Sequence, residues 1–301
     1  MRSLDDIPPA YAELWRAWVA ADPGWPELRA QALADRPRRD FLVDNLIRTM
    51  IASYQQSDFA TTEAPRSGPY ERARLELIEL GEFSAPALSE LMPLGNGTAA
   101  LLSTDVLGQI GRPAIPAVLV QLEREDSVTA RGRAADLLRT LPHGLALEDD
   151  VRSALIRRLQ TDPKWLVRKT AALALGQRGS RDREVETARK ALTRALSDED
   201  PGVARAAAAG LAWLEDPEAI PALINFLQRA IRDASYPNLR IAQDALGRLS
   251  GVEESLDVAG WRSWWRTNRP PPKGAQRAAS ESGPESALES GEGGDSSPRI
   301  P

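Results

Sequence analysis

The chain has no cysteine, which excludes disulfides, thiolate metal sites and cysteine nucleophiles. It has one histidine, His143, and that scarcity removes most zinc and di-iron chemistry. No apolar run approaches the ~20 residues a membrane-spanning helix needs. Asp5 and Asp6 stand where a secretory signal requires an apolar core, so a cytoplasmic protein is expected. No part of the chain is basic overall. Residues 1–65 carry 7 basic and 10 acidic side chains, residues 66–268 carry 27 and 28, and residues 269–301 carry 4 and 5. The phosphate attraction behind nucleic-acid binding therefore has no evident source. Lysine is scarce too: Lys164, Lys169, Lys190 and Lys273 are the four among 38 basic residues, a bias read as the coding of a GC-rich genome. There is no phosphate-binding loop and no G-x-S-x-G elbow, and Gly108 and Gly111 fall at a helix end rather than after a strand. No period-2 run marks a strand.

What the chain does have is a repeat. With Leu175 as anchor, matching leucines stand at Leu77, Leu107, Leu138, Leu211 and Leu246. Four residues before each comes Ala73, Ser103, Ala134, Ala171, Ala207 or Ala242, and three after comes Leu80, Ile110, Leu141, Arg178, Leu214 or Leu249. Positions i, i+4 and i+7 share one helix face, so a stripe of small, large, large recurs along the chain. A second helix follows each of the first five. Its columns are Ala87, Ala117, Ala154, Ala191, Ala222, then Leu88, Val118, Leu155, Leu192, Leu223, then Met92, Leu122, Leu159, Leu196, Leu227. Such a helix pair cannot bury its apolar face alone, and stacked neighbours bury it as one continuous core. Asp162-Pro163, Asp200-Pro201 and Asp216-Pro217 offer N-caps, and Gly81, Gly111 and Gly179 stand where first helices end.

The stretches DPKWLVRKTAALALGQRG and DPGVARAAAAGLAWLEDPEAIPALINFL resemble HEAT repeats, closest to the short bacterial HEAT-like class first associated with phycobilin lyases. The resemblance covers roughly residues 68–268. It implies an all-α, right-handed α-solenoid of about six helix pairs, with the second helices lining the concave side. It implies no single function. Deoxyhypusine hydroxylases of this architecture hold di-iron with repeated His-Glu pairs, and this chain has no His-Glu dipeptide.

The ends differ from the middle. Residues 1–65 read as an N-terminal helical cap with helices at 7–20, 25–34 and 38–56. Residues 66–268 read as the solenoid, ending in a cap built on Trp261, Trp264 and Trp265. Residues 269–301, in which 21 of 33 residues are Pro, Gly, Ser or Glu, read as a disordered tail. Six of the eight tryptophans, Trp15, Trp18 and Trp25 with the last three, fall in the caps, where large rings cover the open core ends. A stacking surface for bases or bilins is the other reading of these rings.

Few residues suggest chemistry. His143, between Pro142 and Gly144, reads as a loop residue rather than a base. Asp198, Glu199 and Asp200 lack calcium-loop spacing and read as helix caps, as do Asp149 and Asp150. No cofactor, metal or catalytic group is expected. The candidate interaction surface is Arg157, Arg158, Arg194, Asn225 and Phe226, three or four residues beyond the alanine column of the second helices. There Arg157, Arg158 and Arg194 are expected at solvent positions, as a patch for an acidic segment of a protein partner. The expected function is a non-enzymatic protein-interaction scaffold. A bilin-lyase-like subunit and a DNA-binding solenoid are the alternatives. Nucleic acid, membrane and small-molecule partners are not expected. Because the tail has too few apolar residues to join the core, deleting residues 272–301 should leave helicity and melting temperature essentially unchanged, and a marked fall in melting temperature would show that the tail docks.

Overall fold

The computed structural model describes residues 9–56, 68–95, 97–141, 149–179 and 185–270. The described residues form α-helices joined by turns and short 3-10 segments, with no strand among them. His143 and residues 271–301 lie outside the described residues. The chain divides into two compact units, Met1–Ser255 and Leu256–Pro301. No described helix is long and apolar enough to cross a membrane.

The first unit opens with α1 (Pro9–Ala20), α2 (Trp25–Ala34) and α3 (Arg36–Gln56), close to the expected spans. Five helix pairs follow: α4 (Pro69–Leu80) with α5 (Ala85–Ser89), α6 (Thr98–Ile110) with α7 (Ile115–Leu122), α8 (Val128–Thr140) with α9 (Asp149–Thr161), α10 (Trp165–Gly179) with α11 (Val185–Ala195), and α12 (Pro201–Trp213) with α13 (Ile220–Arg232). A further first helix, α14 (Tyr236–Ser250), ends the unit. First helices pack on first helices in the order α4, α6, α8, α10, α12, α14. Second helices α5, α7, α9 and α11 stack in parallel with them.

Local chemistry sets the boundaries. Asp200 accepts from the amides of Gly202 (2.8 Å) and Val203 (3.2 Å), and Pro201 begins α12 without an amide to satisfy. Ser127 caps α8 by accepting from Ala130 N at 3.1 Å. Asp162 instead accepts from Lys164 N at 3.0 Å, so α10 begins two residues past Pro163. Gly111 ends α6 at φ 74°, a backbone region that costs glycine nothing.

The core follows the columns. The small residues Ala73, Ser103, Ala134, Ala171, Ala207 and Ala242 and the anchor leucines Leu77, Leu107, Leu138, Leu175, Leu211 and Leu246 are all buried. Each such leucine contributes about 1.5–3 kcal/mol by leaving water. Two alanines of the second-helix column depart from expectation, Ala87 being exposed and Ala222 half-buried. They lie on α5 and α13, the first and last of the second helices, which are flanked by fellow second helices on fewer sides. Helices α10 and α12 approach closely. A Cβ built on Gly176 would lie 2.2 Å from Gly210 Cα, and one on Gly210 would lie 3.0 Å from the Ala172 carbonyl oxygen.

The N-terminal helices pack on the first repeat through α3 and α4. Trp15 and Trp18 are buried and stacked at 4.8 Å, and Arg29 Nε donates to Glu76 Oε1 at 2.5 Å. In the second unit, α15 (Val258–Asn268) is capped by Asp257, which accepts from Gly260 N at 2.7 Å. Trp261 is buried and meets Trp264 edge-on at 6.2 Å.

These contacts separate glycines that helix propensity alone would treat alike. Gly132 in α8 has open space where a Cβ would stand, so Gly132→Ala should stabilise by about 0.5–1 kcal/mol. Gly176→Ala gains the same propensity but must force two backbones apart, and should be net destabilising by ~1–3 kcal/mol. Leu175→Ala should cost ~2–5 kcal/mol. Urea denaturation of the three variants checks the order; stabilisation by alanine at 176 would contradict the Gly176–Gly210 contact.

Candidate interaction surface

The exposed side of the second helices has one register. Three residues past the alanine column stand Glu90, Val120, Arg157, Arg194 and Asn225, and every one is exposed. The next residue in each helix is Leu91, Gln121, Arg158, Ala195 or Phe226, and these are buried or, for Leu91, half-buried. One residue turns the helix by about 100°, enough to carry a side chain from the outer face into the seam between neighbours. Arg157, Arg194 and Asn225 therefore lie where the sequence places them. Arg158 and Phe226 do not. Both are inside the stack, at 7 % and 3 % exposure.

Arg158 is buried because it has a structural task. Its Nε donates to the carbonyl of Leu122, the last residue of α7, at 2.8 Å, and its Nη2 donates to Glu123 Oε2 at 3.0 Å. The last carbonyls of a helix lack intrahelical donors, and a guanidinium satisfies them while opposing the negative end of the helix dipole. The device recurs. Arg229 of α13 donates to the Leu196 carbonyl just past α11 at 2.9 Å, and Arg133 of α8 donates to the Met92 carbonyl just past α5 at 2.5 Å. Phe226 is covered by the Arg229 guanidinium, 5.7 Å from its ring centroid.

The charge of the outer row is largely balanced. Arg157 Nη2 donates to Glu123 Oε1 at 2.5 Å, so Glu123 holds two arginines. Glu90 accepts from Gln121 at 3.0 Å and Arg124 at 2.9 Å. Arg194 has no ion-pair partner among the described residues. Beside it Lys190 Nζ lies 2.8 Å from Glu186 Oε1.

A second set of arginines is buried on the first helices. Arg131 forks onto Asp162, Nε–Oδ2 2.6 Å and Nη2–Oδ1 3.2 Å, with both side chains almost wholly excluded from solvent. Its Nη1 donates to the carbonyls of Arg124 and Glu125, both at 2.9 Å. One repeat on, Arg168 forks onto Asp198 at 2.9 Å through both nitrogens and donates to the Asp162 carbonyl at 2.9 Å. Its hydrogen bonds to Asp198 hold the Arg168 guanidinium above its ordinary pKa. The pairing has a sequence signal: Arg131 and Arg168 each stand seven residues before the anchor leucine, and Asp162 and Asp198 each follow a second helix. Asp198 is thus an ion-pair acceptor, and within the acidic cluster Asp200 is the cap. No group of three or more acidic or histidine side chains among the described residues could hold a metal ion.

Two cavities lie near the N-terminal helices. One of about 400 Å³ lies between α3 and the turn before α5, where the Arg39 guanidinium sits 4.9 Å from the Phe83 ring centroid. The other, about 430 Å³, is lined by Trp18, Trp25, Arg72 and Glu76. Burial pushes the Glu76 carboxyl above its ordinary value, opposed by the Arg29 guanidinium.

No curated protein matches the chain. Among solved structures, an engineered protein is similar at 20 % identity, with 69 % of this chain and 96 % of that one covered, and a TM-score of 0.40. A designed armadillo repeat protein is 16 % identical, with coverages of 68 % and 98 % and a TM-score of 0.40. Another designed armadillo repeat protein, in complex with the peptide (KR)4, is 16 % identical, with coverages of 67 % and 98 % and a TM-score of 0.37. Residues 152–247, from α9 into α14, match the family model of HEAT repeats. Over those residues the chain is similar to HEAT repeats.

Proposed function

We propose that the protein is a non-enzymatic scaffold that holds a protein partner on the outer face of its second helices. The supporting observation is the exposed row Val120, Arg157, Arg194 and Asn225, at one register on successive second helices. Stacked repeats present such rows as extended, evenly spaced surfaces. The clasps Arg158–Leu122 and Arg229–Leu196 hold successive second helices at a set spacing, so the row is pre-organised for a partner. Val120, at 63 % exposure, supplies an apolar contact. Arg194, with no ion-pair partner among the described residues, is the cation of this row most available to an acidic side chain of the partner.

Arg194→Glu should change stability by no more than about 0.5 kcal/mol, because its side chain stands in solvent, and Arg157→Glu, which also loses its exposed pair with Glu123, by about 1 kcal/mol. Binding of partners recovered with the wild-type chain from its native host should weaken by more than the ~1 kcal/mol of one rim charge, and wild-type binding should fall with salt. Arg158→Glu should behave differently. It leaves the Leu122 carbonyl unpaired and sets a carboxylate beside Glu123, so it should destabilise by ~3–5 kcal/mol. Affinity measurements and thermal melts separate these effects. Equal recovery of the same partners by the double variant would remove this row as the binding face.

A further inference from the structure

The cavity of about 430 Å³ beside the α1–α2 turn is built from two elements. One wall is a single face of α4, where Arg72, Leu75, Glu76 and Glu79 stand at i, i+3, i+4 and i+7. The other is the turn itself with the start of α2, which brings Asp22, Trp25 and Pro26 to the cavity. That turn is fixed by its own backbone. The amides of Ala21 and Asp22 donate to the carbonyls of Trp18 and Ala17 at 3.2 and 2.9 Å, and Asp22 Oδ1 accepts from Gly24 N at 2.7 Å. Walls held in this way need little further ordering when a ligand fills the space between them.

The lining is apolar in part and acidic in part. Leu75 is 47 % exposed, and Trp25 and Pro26 line the same space. The Trp18 ring is already occupied, stacked on Trp15 and with the Arg72 guanidinium 4.8 Å from its centroid. No ring or guanidinium lies over Trp25 among the described residues, so its face is open. The charged lining is Asp22, Glu76 and Glu79 against Arg72. Arg72 is engaged with backbone, donating to the Trp18 carbonyl and, at 3.4 Å, to that of Val19. Arg29, outside the lining, reaches Glu76 at 2.5 Å and Glu79 at 3.3 Å. Three carboxylates therefore face two guanidiniums. Burial first, and repulsion from Glu79 after it, push the Glu76 carboxyl above its ordinary value despite Arg29.

These walls discriminate between ligands by charge and by size. An anion would meet three carboxylates. A bare metal ion would lack a chelating set, since no group of three or more acidic or histidine side chains among the described residues could hold one. A bulky, weakly hydrated cation gains from an open tryptophan face and from the carboxylates, and buries its alkyl groups against the apolar lining. The volume lies in the range of roughly 300–1,000 Å³ usual for small-ligand sites. We propose that this cavity binds a quaternary ammonium group, with its methyls against Leu75 and Pro26 and its charge over the Trp25 ring and toward the Glu79 carboxylate. The cavity shares no residue with the second-helix row, so it holds or fails independently of the scaffold reading.

The test uses the full chain, isotope-labelled at its tryptophans and followed by NMR as choline is added. The indole resonances of Trp18 and Trp25, the latter assigned with Trp25→Phe, report on the cavity. Choline at millimolar concentration should shift both in a saturable way. Neohexyl alcohol, its uncharged carbon isostere, should bind several-fold more weakly, and pivalate should not bind. Trp25→Leu keeps apolar bulk but removes the ring, and should weaken choline by about three- to fivefold, read at Trp18. Glu79→Gln, at a side chain 67 % exposed, should keep the fold and weaken choline without weakening neohexyl alcohol. Arg157→Glu with Arg194→Glu should bind choline as the wild type does. A capped trimethyllysine peptide carries the same group on a chain, and the tighter of peptide and choline identifies the source of the group. The proposal is overturned if choline shifts neither resonance, if neohexyl alcohol binds as tightly as choline, or if folded Glu79→Gln retains full choline affinity. Loss of choline binding in the second-helix variant would also overturn it.

Discussion

Close approach of successive first helices is the constraint from which the rest of the first unit follows. Gly176 and Gly210 bring α10 and α12 nearly backbone to backbone, and a buried alanine or, in α6, Ser103 stands four residues before the anchor leucine of every first helix. Small residues at this seam let the flanking leucines interdigitate from both sides, which supplies the burial that no isolated pair can reach. Ser103, the one hydroxyl in that column, is tolerated because its Oγ donates to the Ala100 carbonyl at 3.0 Å.

Stacking so closely also traps backbone polar groups at the ends of helices, and arginine resolves this twice over. On the second helices, Arg158 and Arg229 each reach back one repeat to a terminal carbonyl. On the first helices, Arg131 and Arg168 fork onto aspartates that introduce the following repeat, while their remaining nitrogens take loop carbonyls. A planar guanidinium with five donors suits such sites, where a lysine would leave acceptors unpaired. Part of the arginine richness of this chain therefore has a structural use beyond coding bias. A buried ion pair of this kind adds less net stability than its geometry suggests, because both charges must be desolvated. Its larger effect is on register: each fork fits only one relative position of adjacent repeats.

Exposed and half-buried groups are then arranged by the same register. A row of side chains at one helical position recurs at the repeat spacing, whether on the second helices at Val120, Arg157, Arg194 and Asn225 or on the first helices at Lys169, Arg205 and Arg240. The two rows differ in their electrostatics. Glu123 largely neutralises Arg157 in the first, whereas in the second Lys169 lies over the Trp165 ring, Arg205 donates to Asn238, and Arg240 reaches Asp244 only at 3.9 Å.

By itself the sequence determined the helices, their pairing and the buried columns, because a period of 3.6 within a helix and a longer period between helices are written directly in residue order. Leu77 through Leu246 are buried as that periodicity requires. What the tertiary structure decided was the fate of residues beside the columns. Arg157 and Arg158 are adjacent, both charged and both near the predicted face, yet one is in solvent and the other is closed over the end of α7. Phe226 likewise turns inward one position from the exposed Asn225. The distinction rests on a 100° rotation and on where a neighbouring helix leaves a carbonyl without a donor, and that carbonyl belongs to a residue more than thirty positions away.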